Sequence, residues 1–135
     1  MSTRKLVRVR DVMNPEYDMV DRMATLQEAL DSMRHPENRC MVVRKRHEDD
    51  EFGLLLISDV ARKVLATDRP LQRVNVYEVM QKPVITVDST MDIRYCARLL
   101  DKFHLSRVPV VEHGEVVGIA SFSDLVLRGM EINRE

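Results

Sequence analysis

The chain has 135 residues, enough for one ordinary domain or two small ones sharing a core. At 44% hydrophobic and 32% charged it has the make-up of a soluble globular protein, which excludes a disordered chain. Its 21 basic and 22 acidic side chains leave a net charge of −1, which argues against a general nucleic-acid binder, and no apolar run approaches the ~18 residues of a membrane helix.

The first ten residues alternate charge with Leu6, Val7 and Val9 and lack the continuous apolar core of a signal peptide. The two cysteines, Cys40 and Cys96, sit in apolar segments without CxxC or metal-ligand spacing. Thiols of this kind without an export signal predict a reducing, cytoplasmic setting. From Val7 onward the chain repeats itself. Val7-x-Val9-x-x-Val12-Met13 returns as Val74-x-Val76-x-x-Val79-Met80, and Val20-Asp21 returns as Val87-Asp88, both at an offset of 67. The apolar positions Leu26, Ala29, Leu30 and Met33 return as Ile93, Cys96, Ala97 and Leu100. Spacing of i, i+3, i+4, i+7 predicts one buried helix face in each copy, with Thr25 and Asp92 where an N-cap belongs.

After these helices the alignment moves to an offset of 68, setting Arg39-Cys40-Met41-Val42-Val43 against Arg107-Val108-Pro109-Val110-Val111. Both runs predict short buried strands. A turn at His113-Gly114 predicts a hairpin returning through Glu115-Val116-Val117. In the first copy this hairpin is longer and charged, from Arg44 to Glu51, and predicts a solvated tip. Each copy then closes on a strand running into a helix: Gly53-Leu54-Leu55-Leu56-Ile57-Ser58-Asp59 and Gly118-Ile119-Ala120-Ser121-Phe122-Ser123-Asp124. The expected division is 7–66 and 74–130 with a link over 67–73. A ~60-residue unit is marginal alone, so two α/β (α+β) repeats of β-α-β-β-α type are expected to pack with pseudo-twofold symmetry.

This order of elements, with Gly-h-x-Ser-x-Ser-Asp after the last strand, resembles a tandem cystathionine-β-synthase (CBS) domain pair, also called a Bateman module. The valine-rich entries and Ser106-Arg107-Val108-Pro109-Val110-Val111 are similar to that family's signatures. The resemblance runs from about Val7 to Met130 and leaves no stretch for an attached kinase, channel or DNA-binding domain. It implies a stand-alone regulatory module. Such a module binds AMP, ADP, ATP or S-adenosylmethionine in clefts between repeats and passes its state to an unknown regulated protein. It also implies a homodimer paired through the helices; the charge balance and the lack of a long apolar run predict neither nucleic acid nor membrane as partner.

Carried over residue by residue, the resemblance makes Asp124 the acceptor for both ribose hydroxyls, a task suited to a carboxylate that only accepts. Ser121 would reach a phosphate at the start of a helix whose free N–H groups favour anions. Ser123 is placed among the ligand-binding residues, although by itself it reads as the N-cap, and Arg107 is expected as the phosphate counter-charge. Val84, Ile85 and Thr86 after Lys82-Pro83, with Val108 and Pro109, would line the adenine slot, and Gly118 opens the motif. His104 is expected to be helical and exposed. The first copy has Leu56 for the hydroxyl and Met41 for the strand proline. Its Asp59, Ser58 and Arg39 therefore make a degraded second site.

Other readings are weaker. No Ser-His-Asp order, Cys-His pair, HExxH or Walker loop is present, so no enzyme is expected. His47, Asp49, Asp50 and Glu51 have no recognised metal spacing. A ligand-free structural or dimerisation module is the main alternative. The basic arm Arg4, Lys5, Arg8 and Arg10 alternates with apolar residues and is expected to pair as a strand, not to grip nucleic acid.

Overall fold

The computed structural model describes residues 6–82 and 84–134. Pro83, just ahead of the expected adenine-slot residues, and Arg4 and Lys5 of the basic arm lie outside the described residues. The elements run α1 (Val9–Val12), β1 (Met19–Val20), α2 (Leu26–Ser32), β2 (Cys40–Val43), β3 (Gly53–Leu56) and α3 (Ile57–Val60). They continue as β4 (Val87–Asp88), α4 (Ile93–Lys102), β5 (Arg107–Glu112), β6 (Glu115–Ser121) and α5 (Phe122–Arg134). Two mixed sheets result, ordered β1-β2-β3 and β4-β5-β6. In each, the short first strand is parallel to the second, and the second and third form an antiparallel hairpin. The expected α/β class and repeated element order are thus present.

Both helix caps form. Thr25 accepts the Glu28 amide at 3.1 Å while Glu28 accepts the Thr25 amide at 3.0 Å. Asp92 accepts the Arg94 amide at 2.8 Å. Each such cap stabilises its helix by ~1 kcal/mol. Behind them, Leu26 and Ala29 of α2 and Ile93, Cys96 and Leu100 of α4 are buried, as their spacing predicts. Burial pushes the Cys96 thiol up to about 11. The β5–β6 hairpin turns on His113 and Gly114, with φ of 51° and 79°. Two central residues at positive φ match the right-handed twist of the strands they join.

The chain packs as two compact units cut differently from the sequence repeat. One is Tyr17–Val84; the other joins the described residues up to Glu16 with those from Ile85 onward. Each valine-rich opening segment therefore sits in the core of the unit built around the other copy's sheet. Val7, Val9 and Val12 pack with Ile93, Cys96, Leu100, Val108 and Leu125. Val74, Val76 and Val79 pack with Leu26, Ala29, Met41 and Leu55. The backbone bonds are matched. Ile93 N–H donates to the Val7 carbonyl (3.0 Å) as Leu26 N–H donates to that of Val74 (2.8 Å). Asn14 exchanges two bonds with Ile119 as Gln81 does with Leu54, all between 2.8 and 3.0 Å. The described residues of the arm contribute an isolated bridge from Arg8 to Asp92 and then turn helical at Val9, where a strand is expected.

Strand pairing also corrects the alignment of the copies. Val20 lies opposite Val43 and Val87 opposite Val110; Cys40 lies opposite Leu56 and Arg107 opposite Ser121. The structural offset of β2 to β5 is therefore 67, not 68. Cys40 is the counterpart of Arg107, Val42 and not Met41 is that of Pro109, and Arg39 is that of Ser106. Ile57 N–H donates to the Arg39 carbonyl and Phe122 N–H to the Ser106 carbonyl, both at 3.1 Å, in agreement with this register.

The charged hairpin of the first copy is tied down at its tip. Asp50 accepts from Lys82 Nζ at 2.7 Å, the Arg46 amide at 2.8 Å and Arg46 Nε at 3.3 Å. The Lys82 ammonium, and after it the Arg46 amide, hold the Asp50 carboxyl well below the carboxylate range. Glu28, Glu78 and Asp88 are also lowered, by bonds from the Thr25 amide, the Asn75 amide and the Thr90 hydroxyl respectively. A carboxylate lowered on folding stabilises the fold above its unfolded pKa, ~3.9–4.3, and that stability is lost as pH falls through the folded value. The melting midpoint is therefore expected to hold level from pH 7 to 5 and to drop below pH ~4. Thermal unfolding across that range, with Lys82→Met shallowing the acid drop, checks this.

Candidate ligand site at the end of the last strand

Strand alternation decides which side chains meet. Directly opposed residues of an antiparallel pair share a face. Val108, Val110 and Ala120 point into the core of their unit, while Arg107, Pro109, Ile119 and Ser121 lie on the other face. Two expected site residues, Arg107 and Ser121, are thereby brought together directly opposite each other. Val108 is fully buried in the core, so its side chain is not available to a ligand, a correction that follows from the period of the strand. Arg107 Nε donates to Ser106 Oγ at 3.2 Å.

At the strand end, Ser121 Oγ donates to Asp124 Oδ2 at 3.0 Å and accepts the Asp124 amide at 3.2 Å. The Ser121 amide also donates to Oδ2, at 3.3 Å. This reciprocal pairing is a capping box. It makes Ser121 the N-cap of α5 and displaces Ser123, which is exposed. Ser123 falls inside the first turn because β6 passes into α5 with no intervening loop. The Ser121 hydroxyl proton is thus engaged by Asp124, and would have to rotate to meet a phosphate. Asp124 has about four lone-pair sites, and Ser121 fills two of them on one oxygen. The other oxygen, Oδ1, lies 3.7 Å from Arg128 Nε. Arg128 Nη1 in turn donates to the Met13 carbonyl at 2.9 Å and the Val12 carbonyl at 3.2 Å. Arg128 was not expected from sequence, although an acid four residues before a base on a helix is a known pairing signal.

The remaining expected positions divide. Pro109 is on the site face but buried, and Ile85 and Thr86 are half-buried at the entry to β4. Val84 is half-buried in the other unit. Gly118 is buried, and its lack of a side chain lets Asn14 and Met13 close on it. His104 is exposed, but it stands beyond α4 in a left-handed turn (φ 54°), not in the helix.

The same position in the first copy differs in kind. Cys40 and Leu56 oppose each other where Arg107 and Ser121 stand. Asp59 is buried, and both its oxygens are taken: Oδ1 by Arg62 Nη2 at 2.9 Å, Oδ2 by Gln81 Nε2 at 3.2 Å. Ser58 is exposed, and Arg39 is exposed in a left-handed turn (φ 59°) ahead of β2. Arg39 therefore does not stand where a counter-charge equivalent to Arg107 would.

The family model for the CBS domain matches residues 9–66 and again 76–131. The chain belongs to the CBS-domain family. A CBS domain-containing protein of Bacillus subtilis, YhcV, is 28% identical over 123 residues, 90% of this chain and 85% of that one. Hypoxic response protein 1 of Mycobacterium tuberculosis is 25% identical over 121 residues, covering 89% and 83%. The chain spans 44% of the length of a Methanopyrus kandleri relative that is 27% identical over 86 residues. A solved hexameric CBS-CP12 protein from bloom-forming cyanobacteria superposes with a TM-score of 0.87 at 28% identity, over 94% of this chain and 73% of that one. The CBS domain of a bacterial CNNM/CorC family Mg2+ transporter, solved in complex with ATP, shares the fold with a TM-score of 0.71 at 22% identity, over 90% and 85%. CBS pairs are regulatory modules, and this CBS pair has no helix among its described residues long and apolar enough to cross a membrane.

Proposed function

We propose that this CBS pair is a regulatory module that binds an adenosine-containing ligand, such as AMP, ADP, ATP or S-adenosylmethionine, at the second copy's strand-to-helix junction. Asp124 receives the ribose, while Arg107 and the start of α5 meet the phosphate. Ile85, Thr86 and Pro109 border the base, and the state is read by a partner through a conformational or oligomeric change. The observation that carries this reading is the contrast between the copies. Arg107, Ser121 and a half-exposed Asp124 stand at one; Cys40, Leu56 and a buried Asp59 with a side-chain partner on each oxygen occupy the other. Phosphate needs a cation and N–H groups, and ribose needs an acceptor with free lone pairs. Only the second copy supplies the set, so one ligand per chain is expected.

A second reading has its own support. Ser121 and Asp124 already satisfy each other, and α5 exposes Phe122, Val126, Leu127 and Met130. That fits a ligand-free module whose α5 face pairs with another copy. Thermal unfolding against AMP, ADP, ATP and S-adenosylmethionine separates the two. A ligand at 100 times its dissociation constant adds about 2.7 kcal/mol. That raises the midpoint by several degrees, on the order of 3–6 °C per kcal/mol. A rise with one adenosine ligand, with one bound per chain, supports the sensor. No rise with any of them, in protein freed of co-purified nucleotide, sinks it in favour of the second reading.

A further inference from the structure

We infer that Arg128 makes the docking of the N-terminal segment depend on the charge and occupancy of Asp124. This rests on the proposed role of Asp124 as ribose acceptor. The guanidinium spans two jobs. Through Nη1 it holds the carbonyls of Val12 and Met13 at the end of α1, and through Nε it faces the Asp124 carboxylate. A four-residue helix cannot satisfy its own last carbonyls. A cation at a helix C-terminus is also favoured by the dipole. Arg128 therefore serves as the outside cap of α1, and Asp124 holds Arg128 in place.

The segment it caps is otherwise fixed by close backbone approach. Asn14 exchanges two bonds with Ile119, over a Gly118 that leaves room for nothing larger than hydrogen. Displacing the guanidinium thus acts on a short strap whose next attachment, Asn14, is the adjoining residue. The first copy links its carboxylate to the incoming segment by another route, since Gln81, whose backbone pairs with Leu54, bonds Asp59 directly. In both units the aspartate of the Ser-Asp motif is tied to the opening segment of the other repeat. In the unit with the half-exposed carboxylate that tie runs through a charged, part-exposed side chain, Arg128. Ribose hydroxyls accepted by Asp124 compete with Arg128 for the same oxygens. The ligand then acts on residues 12–14 only by its different interaction with the docked and undocked states.

Hydrogen exchange at the Asn14 and Ile119 amides of the full chain tests this. Without ligand, Arg128→Gln and Asp124→Asn are each expected to speed exchange there about fivefold, the scale of one exposed charge-assisted contact. With AMP or ATP bound, wild type is expected to change its protection at these amides, and Arg128→Gln to bind without that change. If Arg128→Gln does not fold, Arg128→Lys replaces it: the ammonium keeps the charge but lacks the planar fork that presents separate donors to carbonyl and carboxylate, so the ligand response is expected to weaken in this variant. Binding that leaves Asn14 and Ile119 unmoved in wild type overturns the coupling and leaves the ligand reading intact. A response that persists in Arg128→Gln removes Arg128 from it. Failure of every adenosine ligand to bind overturns the ligand reading, and the occupancy dependence with it.

Discussion

Gly118→Ala is expected to lower the melting midpoint by several degrees, the largest loss from adding a single methyl group to this chain. A Cβ there would stand 2.7 Å from the Asn14 carbonyl oxygen and 2.7 Å from the Met13 sulfur. The sulfur can rotate away, but the carbonyl cannot. It accepts the Ile119 amide at 2.9 Å, and the Asn14 amide bonds Ile119 in return. To make room, the strap must give up both bonds or β6 must bend. Overpacking of this kind costs about 1–3 kcal/mol, a shift on the order of 3–18 °C for a domain of this size. The counterpart Gly53→Ala is expected to cost less. Its nearest neighbour is the flexible Met80 sulfur at 3.0 Å, and the Gln81 carbonyl is at 3.3 Å. Thermal unfolding of the two variants side by side checks the order; equal losses would show that the strap yields freely over Gly118.

Asp124→Ala is expected to remove the stabilisation conferred by the adenosine ligand. A hydrogen bond to a charged acceptor is worth ~1.5–3 kcal/mol, so two ribose hydroxyls account for a loss of 100-fold or more in affinity. The same change breaks the capping box with Ser121. The variant should therefore be ~1 kcal/mol less stable even without ligand. The two effects separate by titration calorimetry at a temperature where the variant is folded. Asp59→Ala is the control. Its carboxylate is already held by Arg62 and Gln81, so it should destabilise the fold while leaving the ligand constant unchanged. Unaltered binding in Asp124→Ala would remove the ribose from this position.

Much of this arrangement was legible in the residues because local rules settle it. Thr25 and Asp92 announce their helices by cap chemistry, and the period of the apolar positions after them picks out the buried faces. The turn at His113-Gly114 announces its hairpin. The register of β2 against β5 departs from the sequence alignment because matching Arg39 with Arg107 demands an insertion that the strand pairing does not contain. The unbroken offset of 67, from Val7 through to Leu100, was the better guide: a gapless run needs no loop to absorb the extra residue, and it sets Cys40 against Arg107. The partnership of Arg128 with Val12 and Met13 joins residues about 115 positions apart, and no local pattern encodes it. Nor could the valine-rich openings reveal which sheet each covers, because the two present the same valines and methionine at the same spacing.

That ambiguity has an evolutionary consequence. A polypeptide of one repeat length would carry an opening segment whose counterpart here completes the other unit's core. Two separate copies would complete each other by trading these segments, at a cost in translational freedom that falls with concentration. Joining them end to end replaces that encounter with closure of a short tether, whose effective concentration reaches the millimolar range. The duplicated gene thus holds by covalent connection what single copies would hold by mass action. Cleavage anywhere in residues 67–73 is the change that would return the trade to bimolecular terms.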